Sequence, residues 1–271
     1  MAAVLGTNMA SVWASKNLQT AQSNMASSVE RLSSGLRINR GRDDAAGLAI
    51  ANALTQQING ANQGIKNLGD GVSIVQTADG ALAAVMEMAQ RLVVIGTQGA
   101  SGVLSGEQYA ALETEAEGLL LAMDNIVVRT KFNGEVLFGA ADITISSSNE
   151  DGDTITLDSD SLADFTEVAP TIAAFADAGD GQTLADDAGA FLVILSTQRA
   201  ALGSLQNQLE FAISNVTDLS SNLTAARSRV IDTDYATETA TLTKGQILQQ
   251  AATAMLAQAN QMPNVILSLL K

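Results

Sequence analysis

From Leu195 the coil-compatible residues recur at alternating intervals of three and four: Gln198, Leu202, Leu205, Leu209, Ala212, Val216, Leu219, Leu223, Ala226 and Val230. That spacing keeps a single stripe on one side of an α-helix and matches no strand or loop, so the segment must be a long helix with a partner along its seam. Near the start of the chain Leu18, Met25, Val29, Leu32 and Leu36 keep the same rhythm. Towards the other end Leu242, Ile247, Ala251, Ala254 and Ala257 continue it in an Ala- and Gln-rich stretch. A helical stripe needs something to bury itself against, so both ends of the chain call for partners.

The composition agrees with slender helix-on-helix packing. Hydrophobic residues make up 46% of the 271, yet aromatics only 3%, and Ala, Leu, Val and Ile predominate among them. There is no cysteine and no histidine. The first absence rules out disulfides and thiolate chemistry; the second removes the usual general base and the commonest zinc ligand, which counts against an enzyme. No catalytic residue, cofactor site or metal site is assigned.

The net charge of −15 is unevenly spread. Residues 1–44 and 227–271 hold nine Lys/Arg against six Asp/Glu, whereas residues 45–226 hold five against twenty-three. An acidic centre repels phosphate backbones and anionic lipid, so neither nucleic acid nor a membrane surface is an expected partner. The nearly neutral ends can pack against further copies with little repulsion. No apolar run is expected to insert into a bilayer. The opening Met1 to Asn8 lacks the basic and apolar regions of a cleaved export signal.

Read in order, the chain predicts a first helix from about Asn8 to Asn39, carrying the only tryptophan, Trp13. A charged, non-periodic hinge follows from Arg37 to Asp44, with Asp43 or Asp44 placed to cap the next helix. The second helix, with its stripe from Leu54 to Leu92, should be roughly 45 residues long and end within Gly96 to Gly102. The third begins at Ser105-Gly106-Glu107-Gln108, which has the form of a capping box, and buries Tyr109, Leu112, Ala116, Leu119, Met123 and Ile126. Asn133-Gly134 is a hairpin turn signal, and Ile143-Thr144-Ile145 with Ile155-Thr156-Leu157 flank a second turn at Asp151-Gly152. Residues 132–198 contain no Lys or Arg and read as a β/loop insertion, at about 139–185, outside the heptad seams. Ser147, Asn149 and Asp151 fall short of a calcium loop, because Ser stands first and Asp158 stands where Glu is needed. The heptad helix then returns the chain to a second hinge at Ile231 to Asp234, and a last helix runs to about Asn260. The fold class expected is mainly α: a long antiparallel helical rod with paired terminal coiled-coil helices and a small β-hairpin insertion.

At both ends the residues carry a resemblance. Glu30-Arg31-Leu32-Ser33-Ser34-Gly35-Leu36-Arg37-Ile38-Asn39, followed by Asp43-Asp44-Ala45-Ala46-Gly47-Leu48-Ala49-Ile50, resembles the N-terminal signature of bacterial flagellins. Arg227 to Glu238, with Gln246 to Ala251 and Ala254 to Gln261, is similar to their C-terminal signature. The resemblance covers about residues 1–140 and 185–271. It implies a filament subunit that leaves the cell unfolded through the flagellar type III route and polymerises outside it. The expected partners are further copies of the chain, the export apparatus and a C-terminal export chaperone, and the filament cap and hook-junction proteins. Segments 1–44 and 232–271 would form the inner coiled-coil tube and 45–231 the rod around it. Trp13, Leu18, Met25, Val29, Leu32, Leu36, Leu242, Ile247, Ala251, Ala254 and Met255 would serve polymerisation, with Trp13 buried between subunits or within the terminal pair. Arg31, Arg37, Arg40 and Arg42 would clamp the hinges through Asp43, Asp44, Asp232 and Asp234. Gln90-Arg91-Leu92 aligns with the segment through which flagellins are sensed by an innate immune receptor, but the chain continues Val93-Val94-Ile95-Gly96 where the family has a charged stretch with a glutamate; that departure counts against recognition. Two alternatives stay open on the residues: a hook-filament junction protein, and a cell-surface homologue that binds a ligand through its acidic middle.

Overall fold

The protein is described from a computed structural model, which covers residues 8–139, 142–148, 152–157, 169–170, 175 and 177–269, with side chains as far as Met262. It is mainly helical: α1 (Met9–Ser34), α2 (Ala45–Gly99), α3 (Gly106–Arg129), β1 (Lys131–Phe132), β2 (Glu135–Val136), β3 (Ile143–Ser146), β4 (Thr154–Leu157), α4 (Ala178–Ile231) and α5 (Tyr235–Leu269). The chain divides into two compact units, one of residues 1–56 and 223–271 and one of residues 57–222. The first unit therefore reaches beyond the expected limits at 44 and 232, and takes in both hinges.

In the unit of residues 57–222, α2 and α4 run antiparallel, as the pairs Asp79 with Arg199 and Asn62 with Ser220 show. Its core comprises Leu68, Leu82, Leu92 and Ile95 of α2, Ala116 and Met123 of α3, and Phe191, Leu195, Leu202 and Leu209 of α4. The predicted seam of α4 supplies Leu195, Leu202, Leu205, Leu209 and Val216 to it. Helix α2 is 55 residues long, about 80 Å, and extends past the predicted stripe at its N-terminal end. Both α2 and α4 contain an 18-residue window of hydropathy 1.3 with few charges, which the sequence reading did not anticipate. Leu68, Leu82 and Leu92 of α2 and Leu195, Leu202 and Leu209 of α4 are buried in the core of this unit.

Local chemistry fixes the connections. Ser105 Oγ accepts from the Gln108 N–H while Gln108 Oε1 accepts from the Ser105 N–H, the reciprocal cap that starts α3. Asn133 and Gly134 sit at φ 51° and 91°, the left-handed pair that a two-residue hairpin demands, and join β1 to β2 in antiparallel register, Phe132 opposite Glu135. The second hairpin pairs Ile143 with Leu157 and Ile145 with Ile155. It is packed into the unit: Ile145 and Leu157 are core residues, Asn67 Nδ2 donates to the Ser146 carbonyl at 3.1 Å, and Ser147 is buried with its N–H and Oγ both donating to the Asp153 carbonyl. The calcium-loop reading falls partly on Asn149, Asp151 and Asp158, which lie outside the described residues. Helix α4 begins at Ala178, well before Leu195, so residues 178–185 are helical where an insertion was expected.

Candidate functional site

In the other unit α1 and α5 pair antiparallel. Asn8 Nδ2 donates to the Ala259 carbonyl at 2.6 Å, Ser11 Oγ donates to Asn260 Oδ1 at 3.0 Å, and at the far end Tyr235 Oη donates to the Leu32 carbonyl at 3.3 Å. On α1 the residues shielded by this pairing are Ser11, Ala14, Leu18, Ala21, Met25, Ser28 and Leu32; on α5 they are Glu238, Leu242, Gly245, Gln249, Ala252, Leu256 and Ala259. Large and small residues alternate along both seams, and the small ones let the backbones approach. A Cβ added at Gly245 would lie 3.6 Å from the Met25 Cβ.

This register places some predicted polymerisation residues in the seam and others elsewhere. Leu18, Met25, Leu32 and Leu242 are within it. Leu36 lies beyond the end of α1, which stops at Gly35 in the left-handed conformation with φ 72°. Trp13, Val29, Ile247, Ala251, Ala254 and Met255 are exposed. Trp13 is thus not buried within the terminal pair: it is 59% exposed, with Lys16 Nζ 5.7 Å from its ring centroid. Trp13, Met9, Leu248, Met255 and Met262 instead line an open groove of about 810 Å³ along the pair, floored by Ala14, Ala21 and Ala252. The Ala-rich run of α5 hid this division, because alanine suits a close seam and an outer face equally.

The hinges are tied together by backbone. Leu36 and Asp232 form an antiparallel bridge, flanked by the Arg37 N–H donating to the Ile231 carbonyl at 2.6 Å and the Thr233 N–H donating to the Gly35 carbonyl at 2.9 Å. Beside it Ile38, Ala51 and Ile231 make a small core with Leu36, Leu48 and Val230. The expected clamp of arginines on hinge aspartates takes a different form. Arg40 and Arg42 pair with Glu30 of α1 at 2.8 and 3.8 Å, Arg31 with Glu238 at 3.7 Å, and Arg37 donates to the Val230 carbonyl. Only Asp43 of the four aspartates receives an arginine among the described residues, Arg42 at 3.6 Å.

Asp43, Asp44 and Asp234 serve backbone donors instead, because they sit where helix starts and a tight loop leave N–H groups unpaired, and Asp232 serves a hydroxyl. Asp44 caps α2 by accepting from the Gly47 N–H at 2.9 Å, and Asp234 caps α5 through Ala236, Thr237 and the Thr237 hydroxyl. Asp43 accepts from the Arg40 and Asn39 N–H groups, and Asp232 from Ser228 Oγ. The Arg40 N–H, then the Asn39 N–H and the charges of Arg42 and Arg31, hold the Asp43 carboxyl below its ordinary value. The Thr237 hydroxyl, then the Ala236 and Thr237 N–H groups, do the same for Asp234. Glu30, the acid that gathers the arginines, was not singled out in the sequence; its place one turn before the helix end, facing Asn39, Arg40 and Arg42, follows from the chain turning back at Gly35.

The receptor-like segment is split by the fold. Leu92 is fully buried in the core of its unit, whereas Gln90 and Arg91 reach solvent. Arg91 is engaged by Glu115 of α3, through Nε at 2.9 Å and Nη2 at 2.6 Å.

Comparison with known proteins places these features. A family model described as the bacterial flagellin N-terminal helical region matches residues 5–142, and one described as the C-terminal helical region matches residues 186–270. The chain is 36% identical to a flagellin of Halalkalibacterium halodurans over 99% of its own length and 100% of that protein. It is 38% identical to a flagellin of Bacillus subtilis over 95% of each chain. Among solved structures it is similar to a Bacillus cereus flagellin crystal structure, with a TM-score of 0.51 and 28% identity over 60% of this chain and 94% of that one.

Proposed function

From the premise that this chain belongs to the bacterial flagellin family and is a structural subunit of the flagellar filament, we propose that the groove along α1 and α5 is the surface through which its subunits hold one another. The observation that carries this is the exposure of Trp13, Met9, Leu248, Met255 and Met262 side by side on a helix pair. An apolar patch of that kind marks an interaction site, and the near balance of charge in the two end segments favours another copy of the chain as its occupant. Contacts of one surface with a different surface of the next copy extend without closing, which is what a helical filament requires.

In this reading segments 1–44 and 232–271 form the inner tube and the rest of the chain surrounds it. The subunit travels out unfolded by the flagellar export route, with a chaperone on its C-terminal segment, and adds beneath a filament cap above the hook-junction proteins. The test of the groove is a pair of variants, Met255→Asp and Trp13→Ala, in purified protein induced to polymerise by salt. Helical content and melting should match the parent while electron micrographs show no filaments for Met255→Asp and fewer for Trp13→Ala. Normal filaments from both would overturn the assignment. Export is tested separately, by immunoblot of culture supernatants from cells with and without a working flagellar export gate.

A further inference from the structure

The groove carries a chemistry that packing alone does not call for. Three thioethers line it: Met9, Met255 and Met262 are 54%, 64% and 55% exposed. With no cysteine in the chain, methionine is its only sulfur. The other described methionines differ: Met123 is 2% exposed in the core of its unit, and Met25, Met86 and Met88 are half-buried. Oxidation of a thioether follows access to its sulfur, so among the described methionines the three groove residues are the ones a small oxidant meets first.

We propose that Met9, Met255 and Met262 form an oxidation-sensitive site, through which a peroxide converts the unassembled subunit into one that cannot join a filament. The inference rests on the reading of the groove as the subunit contact. In each step the sulfur lone pair attacks one peroxide oxygen, an S–O bond forms as the O–O bond breaks, and the departing hydroxide takes up the proton lost from the transferred oxygen and leaves as water. The sulfur is oxidised by two electrons to a sulfoxide, and the peroxide is reduced. The product replaces a flexible apolar side chain with a polar, chiral one. Exposed to water in the free subunit, it is tolerated. Enclosed against a neighbouring subunit, it costs free energy unless a donor happens to meet it. Assembly that covers the groove also shields the sulfurs, so the sensitivity belongs to the subunit before it is incorporated.

The experiment treats purified monomer and preformed filaments with hydrogen peroxide, maps sulfoxides by fragment-ion mass spectrometry, and scores polymerisation by electron microscopy. In the monomer Met9, Met255 and Met262 should oxidise at least about tenfold faster than Met123. Filament yield should fall by a factor of about ten or more, and methionine sulfoxide reductase should restore it. Whatever the untreated yield of the variant Met9→Leu/Met255→Leu/Met262→Leu, the same treatment should leave that yield unchanged. Normal filaments from monomer oxidised at all three positions would overturn the proposal, as would failure of the reductase to restore assembly or an equal loss in the leucine variant. A different result would overturn the groove reading beneath it: the three sulfurs oxidising as fast in filaments as in monomer.

Discussion

The Ser147 carbonyl lies against the α2 backbone at Gly64, in the space that a Cβ at that position would fill. The β3–β4 hairpin can seat there only because residue 64 has no side chain. Gly69, five residues along the same helix, has open space around it. Gly64→Ala should therefore destabilise the unit by about 1–3 kcal/mol through overpacking. Gly69→Ala should stabilise it by about 0.5–1 kcal/mol through helix propensity. Thermal melting of the two full-length variants decides the matter, and equal shifts would show that the hairpin is not anchored at Gly64.

The same anchoring bears on deletions. Within the insertion read from sequence at about 139–185, Ile145, Leu157 and Phe175 are buried core residues, and a Cβ on Gly99 would collide with the Phe175 ring. Truncating a large buried side chain typically costs about 2–5 kcal/mol. A chain lacking 140–182 should still carry its terminal pair, yet melt well below the parent. An unchanged melting temperature would mean that the middle adds nothing to the core.

Acid should weaken the hinges through two residues. Asp43 and Asp234 both have carboxyls held below the ordinary 3.8 by hydrogen bonds they receive as anions. Their contribution is fully present above 3.8 and is lost as the pH falls through the depressed folded-state values. Asp43→Asn and Asp234→Asn should each be less stable than the parent at neutral pH, with the difference shrinking as the pH falls below 3.8. Denaturation followed across that range checks the sign; a gap that widened in acid would contradict it.

The terminal pair should open readily in the free subunit. Its seam alternates with Ala14, Ala21 and Ser28 on one side and Gly245, Ala252 and Ala259 on the other, so little apolar area offsets an ordering cost of about 1–2 kcal/mol per residue. Trypsin should cut the monomer quickly at the exposed Lys16 and Lys244 and leave both intact in filaments. Equal cleavage in the two states would argue that the pair is stable without neighbours.

The legible parts of the molecule were those where one residue type has one physical use. The Ser105 to Gln108 box, the Asn133-Gly134 turn and the Asp44 cap each satisfy a local backbone need, and the Leu-rich seam of α4 is unambiguous in period. The α5 seam was not legible, since Gly245, Gln249 and Ala252 carry no hydrophobic signal while Ile247 and Met255 on the outer face do. On α1 the buried Ser28 gives way in a hydrophobicity reading to its exposed neighbour Val29 for the same reason: a close helix contact selects for smallness before greasiness. Asp43 and Glu30 owe their roles to a loop path that no periodicity describes.

The hydrogen bond from Asn8 to the Ala259 carbonyl joins residues 251 apart in sequence, and the bridge from residue 36 to residue 232 also spans most of the chain. Contacts between residues so far apart carry a high loop-closure cost and raise the contact order, which slows folding. The Asn8 bond cannot form before α5 has left the ribosome, nor the bridge before Asp232 has. The newly made N-terminal helix thus waits through the entire synthesis of the chain without its mate, its apolar stripe open to whatever binds it first. Timing, as well as affinity, decides what the two ends of this protein meet.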